Sequence, residues 1–303
     1  MKKIFSLLLV VAMLAACVLT FASCGDGEPA ATTTPTTTPV TGGQTDFERI
    51  TANGKFICGY TVYEPMNFWD ANGDLKADTV GEGQLVGFDT ELARAVAAKL
   101  DLEVEFVEID WGQKYMELSS YTIDCIWNGF TSNTADTDGV QRADKVDFSY
   151  AYLDNAQCVV VNKNRLDSIT SAASLAGLVG AVEEGSAGEA YAKTVTDADN
   201  VITKTSQMDT FAELSIGTVD FVVVDVLLAN SIVGQGDFAN LAKATAVEID
   251  NEVYSIGCRK GGDFDEKINE ALVALLNDGT LEALATKYNV HITDSLMAMK
   301  TAD

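Results

Sequence analysis

Residues 123–152 read IDCIWNGFTSNTADTDGVQRADKVDFSYAY, and the sequence is best read outward from them. The stretch opens as an apolar strand, 123–127, of the β-branched and aromatic kind that packs inside a sheet. It runs into a polar loop whose first cation is Arg142, and from Tyr115 to Gln141 there is no Lys or Arg at all. A single guanidinium set just past a buried strand, in a chain this acidic, suits a planar two-pronged grip on a carboxylate. An arginine at such a junction also commonly serves as a surface ion-pair partner, so the assignment needs support from the rest of the chain.

Composition narrows the partners. The 303 residues carry 45 Asp and Glu against 20 Lys and Arg, a formal net charge of −25. Such a surface stays dissolved and repels phosphate backbones and anionic lipid, which argues against nucleic acid as a partner of the folded body. With 47% apolar residues, the roughly 255 residues past the leader suffice for one large or two modest domains.

The leader is residues 1–23. Lys2 and Lys3 precede an apolar run, 4–22, and then a cysteine, which is the layout of a bacterial secretory signal. Cys17 follows Leu14-Ala15-Ala16, the better lipoprotein box, but Val18 to Phe21 would leave an apolar stub on the mature end. Cys24 follows Phe21-Ala22-Ser23 and meets Gly25-Asp26-Gly27 at once, so Cys24 is the expected lipidation site. The run approaches the ~20 residues that span a bilayer, and the cysteine at its polar edge favours lipid modification over an uncleaved anchor. Residues 24–45, rich in Thr and Pro, cannot bury enough surface to offset their ordering entropy and are expected to tether the body to the membrane.

Beyond Phe47 short apolar runs alternate with amphipathic ones. Strands are expected at 56–62, 104–109, 123–127, 158–162, 178–182, 220–224 and 253–258. The clearest helix is 90–100, with Leu92, Val96 and Leu100 on one face and Asp89 placed to cap it. Two more, 264–276 and 281–288, are broken at Gly279. This alternation implies an α/β fold with a largely parallel sheet and ligand sites at the strand ends. DANGD at 70–74 has part of the look of a calcium loop, but Gly73 comes too early and no Glu closes a twelve-residue ring; a hairpin turn is expected instead. The one histidine, His291, lies beyond the last helix, so no His-based metal site or Ser–His triad exists. No metal, cofactor or catalytic residue is expected.

From 54 to 289 the chain resembles the polar amino-acid-binding proteins of bacterial ABC importers, solute-binding family 3. The matching segments, in order, are GKFICGYTVYEPM, LVGFDTELARAVAAKL, VEFVEIDW, IDCIWNGFT, RADKVDFSYAY, LAGLVGAVEEGSAGEAY, GTVDFVVVD, YSIGCRKG and NDGTLEALATKYN. The resemblance implies a two-lobed type II periplasmic-binding fold with two crossing hinge strands, lobe I from 46–157 and 250–303 and lobe II from 158–249. It implies a monomeric lipoprotein on the outer face of the cytoplasmic membrane that captures a polar amino acid and delivers it to an ABC transporter permease. No bond is made or broken.

The resemblance also assigns roles. Arg142, six residues before Phe148 of the DFS motif, sits where the family binds the ligand α-carboxylate. Asp225, ending FVVVD, sits where lobe II binds the α-ammonium, although such a residue also suits a cap for the helix that follows. A zwitterion buried between lobes must have both charges paired, or desolvation costs several kcal/mol per ion. Gly129 is expected to offer its carbonyl to the ammonium, and Thr131 its hydroxyl and N–H to the carboxylate. Ser186 and Ala187 enter a helix whose free N–H groups face an anion. Tyr63 and Trp111 match positions that flank the ligand side chain. Trp127 reads as core or pocket wall, and Tyr60, Met66 and Phe68 as core or pocket. Tyr60 also stands where some relatives that bind basic amino acids carry an acid, which disfavours lysine and arginine.

Relatives reach the arginine sooner after the Thr131 position. Here SNTADTDGVQ, 132–141, intervenes and reads as an insertion into an exposed loop. Cys58, Cys125, Cys158 and Cys258 fall in apolar strands without CxxC spacing and are expected as buried thiols; a Cys158–Cys258 bridge is conceivable on the crossing strands of an exported protein. The same fold also serves cyclohexadienyl dehydratases, for which Glu183, Glu184 or Asp110 would be the acid or base. The tether and lipid cysteine favour a transport receptor, and no partner domain in the chain supports a sensor.

Overall fold

The apolar runs form two separate sheets in a computed structural model that describes residues 43–77 and 79–301. Cys17, Cys24 and the tether up to residue 42 lie outside the described residues. The strands are β1 (Lys55–Tyr60), β2 (Phe68–Asp70), β3 (Gln84–Val86), β4 (Glu103–Glu108), β5 (Cys125–Ile126), β6 (Val146–Phe148), β7 (Leu153–Asn162), β8 (Gly180–Glu183), β9 (Val201–Lys204), β10 (Phe221–Asp225), β11 (Leu241–Lys243), β12 (Asn251–Tyr254) and β13 (Gly257–Arg259). The first sheet has five strands in the order β4-β1-β5-β13-β6. The second has six, β11-β7-β10-β8-β9, with β12 joined to β7; β2 and β3 form a hairpin apart.

β1 runs parallel to β4 and β5, and β8 parallel to β9 and β10, the arrangement that crossover helices produce. But β13 runs antiparallel to β5 and β6, and β7 antiparallel to β10, β11 and β12, so the sheets are mixed rather than largely parallel. In the second sheet Val160, Val222 and Val224 pack into one core while Val159, Val161 and Val223 pack into another. Both faces are therefore covered, which is why these strands read as unbroken Val runs rather than as alternating ones. The first sheet is covered by the helices Phe88–Lys99, Phe264–Asn277 and Thr280–Tyr288, which bury Leu92, Val96, Phe264, Leu272, Leu276 and Leu281. Each such side chain contributes about 1.5–3 kcal/mol of transfer free energy. Gly279, at φ +82°, separates the last two helices, as expected.

β7 is ten residues long and carries the chain from β6 of the first sheet into the second. Its first half, Leu153 to Ala156, pairs antiparallel with Tyr254 to Asn251 of β12, and its second half pairs with β10 and β11. β7 and β12 are the two crossing strands. The expected strand 253–258 is in fact two strands. Between them Ser255 N donates to the Phe130 carbonyl (2.9 Å) and Ile256 N to Ser149 Oγ (2.9 Å), so the chain leaves one sheet there and joins the other.

Two local expectations are corrected. Asp89 does not cap its helix: the helix begins at Phe88, Gly87 is the N-cap at φ +124°, and a Cβ there would lie 2.1 Å from the Met66 carbonyl oxygen. Asp89 is instead buried in the first turn, where it accepts the Tyr152 hydroxyl (2.8 Å) and Gly129 N–H (2.7 Å). The four strand cysteines are free thiols. Cys258 registers with Cys125 in the first sheet, and Cys158 with Val224 in the second, so no bridge joins the lobes. DANGD does begin a hairpin connection: Asp70 ends β2 and accepts the N–H groups of Asn72 (3.1 Å) and Leu75 (3.0 Å), an Asx-type turn.

Candidate functional site

The C-terminal ends of β5, β8 and β10 lead straight into Asn128, Ser186 and Asp225, and these groups line one cleft. From the first sheet and its loops come Trp111, Asn128, Gly129, Thr131 and Arg142; from the second come Gln157, Glu183, Ser186, Ala187, Gln207 and Asp225. The enclosed space is about 10 Å³, room for about one water. Organic ligands occupy sites of about 300–1,000 Å³, so the lobes must part to admit one.

Arg142 opens a short helix, Arg142–Lys145, and is 1% exposed. Its Nε donates to Asp136 Oδ1 (2.7 Å), Nη1 to the Thr131 carbonyl (3.0 Å) and Nη2 to the Gly185 carbonyl (3.3 Å), which belongs to the opposite lobe. Asp136 lies within the loop 132–141. Its other oxygen accepts Lys145 Nζ (2.8 Å) and the Tyr115 hydroxyl (2.7 Å). Burial works against the Asp136 charge, but Arg142 and Lys145 outweigh it and hold the carboxyl below its ordinary range. Asp136, in the loop 132–141, thus reaches back to the arginine and helps fix the plane of its guanidinium.

Lys114 sits beside Arg142 and is equally buried. Its Nζ donates to the carbonyls of Gly185 (2.8 Å) and Trp111 (3.2 Å) and lies 5.0 Å from the Trp111 ring and 4.8 Å from the Tyr115 ring. Burial, then the Arg142 charge, lowers its pKa to about 7. The Gly185 carbonyl thus receives donors from two residues that belong with the other sheet, Lys114 and Arg142.

At the opposite end Asp225, 5% exposed, closes β10. Its side chain makes no capping bond to the helix Val226–Ile232. Oδ1 accepts Asn155 Nδ2 (2.6 Å) and Gln157 Nε2 (2.7 Å), Oδ2 accepts Gln207 Nε2, and Asp225 N donates to Gln207 Oε1 (2.9 Å). Burial still raises its pKa, because neutral amides replace hydration only in part. Two more acids stand close. Glu252 on β12 accepts Thr131 Oγ1 (3.0 Å) and Gln157 Nε2 (2.9 Å), and burial, then Asp225, lifts it to about 7. Glu183 is lifted by the same two causes to about 8.

The remaining expected residues are placed as follows. Gly129 lines the cleft at φ +58°; its N–H is held by Asp89, and a Cβ would meet the Tyr63 hydroxyl at 2.3 Å. The Thr131 hydroxyl, expected on a ligand carboxylate, is turned to Glu252. Trp111 stands edge-on to Phe130 at 5.3 Å. Ser186 caps the helix Ala187–Val195, its Oγ accepting Glu189 N–H (3.0 Å), and Ala187 is the first residue of that helix. Tyr63 is just outside the cleft lining: its hydroxyl donates to Tyr254 (3.0 Å), and it borders a second cavity. Tyr60, Met66, Phe68 and Trp127 are buried core. Sequence reasoning missed Asp136, Lys114, Asn155, Gln157, Gln207 and Glu252. The spacing of Asn155 and Gln157, two residues apart just before the apolar run 158–161, was a signal that both face one side of the strand.

Comparison with known proteins fits this geometry. Residues 57–291 match the bacterial extracellular solute-binding proteins, family 3. The chain belongs to that family. It is 26% identical over 244 residues to the L-cystine-binding protein TcyJ of Escherichia coli, covering 80% of this chain and 85% of that one. Among solved structures it is similar to an ancestral arginine-binding protein bound to arginine, at 34% identity and a TM-score of 0.66, covering 78% of this chain and 98% of that one. It is also similar to an ancestral amino acid-binding protein described as a precursor of cyclohexadienyl dehydratase, at 27% identity and a TM-score of 0.65, covering 80% and 98%. No helix of the described residues is long and apolar enough to cross a membrane.

Proposed function

We propose that this chain is an extracytoplasmic receptor that captures an amino acid between its lobes and hands it to an ABC transporter permease. The observation that carries the reading is one buried cation, Arg142, and one buried anion, Asp225, lining the same cleft from opposite sheets. The α-carboxylate binds Arg142 and displaces the Gly185 carbonyl from Nη2, while Thr131, Ser186 and the helix start at Ala187 supply further donors. The α-ammonium binds Asp225, with the Gly129 carbonyl beside it, and Tyr63 and Trp111 flank the side chain. Neither lobe alone satisfies both charges, so closure depends on the ligand. Relatives named for cystine and arginine support an amino acid as the cargo. In this reading lobe I comprises 46–157 and 250–303, lobe II comprises 158–249, and Cys24 carries the lipid anchor of a monomeric protein; Cys24→Ala is expected to release the chain from membranes.

The test is a thermal-shift screen of the purified chain against the standard amino acids. At least one raises the midpoint, and Arg142→Ala abolishes the response. Tight binding that survives the substitution sinks the carboxylate assignment. A second reading, a dehydratase, gains from Glu183: an acid buried in the cleft with a pKa near 8 is protonated at neutral pH. Incubation with prephenate or arogenate separates the two, since a receptor leaves both intact.

A further inference from the structure

We propose that the cleft takes an amino acid whose side chain carries a second positive charge, and that Glu183 is the residue that receives it. The inference rests on the reading of the chain as an amino-acid receptor and names the class of its cargo. Glu183 closes β8 and Asp225 closes β10, and the two strands are parallel neighbours. Glu183 is 3% exposed, lines the cleft, and its Oε1 makes no hydrogen bond.

The charges decide what should meet it. A neutral amino acid brings one ammonium and one carboxylate, which Asp225 and Arg142 match. Glu183 is then left as a desolvated acid with a bare oxygen, an arrangement that costs free energy unless a partner arrives. The chain's own cations are engaged elsewhere: Arg142 is paired with Asp136, and Lys114 spends its hydrogen bonds on the Gly185 and Trp111 carbonyls. Unpartnered, the buried carboxyl keeps its proton; a ligand cation draws it to the carboxylate and gives Oε1 the partner it lacks.

The space beside the cleft has the same sign. A second cavity of about 590 Å³ lies next to it. Thr61 of that cavity accepts a hydrogen bond from Asn128 of the cleft, and the neighbours Ser206 and Gln207 face one space and the other. Its charged lining consists of Glu64, Glu108, Asp110 and Asp209, with no Lys or Arg among the lining residues. Such a wall concentrates cations and repels an acidic side chain. The absence of an acid at Tyr60 does not oppose this, because Tyr60 lines neither space and packs edge-on against Phe106 in the core.

Titration calorimetry of the full chain with L-arginine and L-lysine, against the uncharged analogues L-citrulline and L-norleucine, tests the inference. At least one cationic ligand binds about tenfold or more tighter than its uncharged analogue, the margin of a buried charged hydrogen bond. In Glu183→Gln that ratio falls toward one, whereas Glu183→Asp keeps the preference. Equal affinity for each charged ligand and its analogue, or a ratio unchanged in Glu183→Gln, overturns the inference. Tight binding of a neutral amino acid alone overturns it and leaves the receptor reading intact. Failure to bind any amino acid removes both.

Discussion

The two ends of the cleft are neutralised by different means. At the carboxylate end Arg142 meets an acid from its own side of the cleft, Asp136, six residues away, so the guanidinium is paired and oriented by the chain itself. At the ammonium end Asp225 and Glu252 are held by amides and a hydroxyl and Glu183 by Gln207, with no ion pair to any of them among the described residues. Burial raises all three. The difference teaches where ligand charge matters most: the first end is assembled in advance, and the second is completed only by a cation from outside.

The largest expected effect follows from removing the acid at the incomplete end. Asp225→Ala leaves the incoming ammonium buried without its counter-ion, a loss of about 3–5 kcal/mol for breaking a buried pair. Affinity is expected to fall by about 100-fold or more, as read by calorimetry with whichever amino acid the screen identifies. A loss below tenfold would move the ammonium site to Glu252 or Glu183 and erase the contrast between the two ends.

Asp136→Ala tests the assembled end and is expected to act more weakly. The guanidinium keeps its bonds to the Thr131 and Gly185 carbonyls but loses the one that orients Nε, and Lys145 and Tyr115 lose a partner as well. Affinity is expected to drop about tenfold, near 1.4 kcal/mol, with a lower melting midpoint for the ligand-free protein. Unchanged affinity would mean that the two carbonyls alone set the arginine plane and that the loop 132–141 has no part in binding.

A smaller effect is expected from pH. Glu183 and Glu252 titrate near 8 and 7 when folded but near the ordinary carboxylate value of about 4.3 when unfolded. The folded state therefore holds more protons between those values, and the stability they contribute is present at low pH and lost as pH rises through 7 to 8. Lys114, lowered to about 7, acts oppositely, and only above that pH. The ligand-free melting midpoint is expected to fall by a few degrees from pH 5 to 7 and then flatten toward pH 8. A midpoint that rises over pH 5 to 7, measured by scanning calorimetry, would show that these acids are ionised in the closed cleft.

How legible each end was in the sequence follows the same division. Arg142 stood out because it is the first cation after a long stretch without one, and Asp225 because it ends a run of valines. Asp136 was hidden because 132–141 reads as an exposed loop, and only the folded chain brings that one carboxylate onto Arg142. Glu252, Asn155 and Gln157 sit on the crossing strands, whose polar face has no meaning until β7 and β12 pair. The break at Ser255 and Ile256 was also invisible, since a change of sheet depends on tertiary hydrogen bonds to Phe130 and Ser149 rather than on propensity. Strand and helix cores were read well where burial on both faces imposed long apolar runs.

The smallest effect is expected one residue from the proposed specificity group. Glu183 and Glu184 are adjacent acids that sequence alone could not separate, and both were candidates for acid or base chemistry. In the folded chain Glu183 ends β8 and faces the cleft, whereas Glu184 is exposed. An exposed carboxylate is hydrated and screened, so its loss changes stability by no more than about 0.5 kcal/mol. Glu184→Gln is expected to leave both ligand affinity and melting midpoint within error of the unmodified chain, while Glu183→Gln alters the preference between charged and uncharged ligands. If Glu184→Gln changed that preference as strongly, the recognition would come from the general negative field of the lobe rather than from a single oxygen at the end of β8.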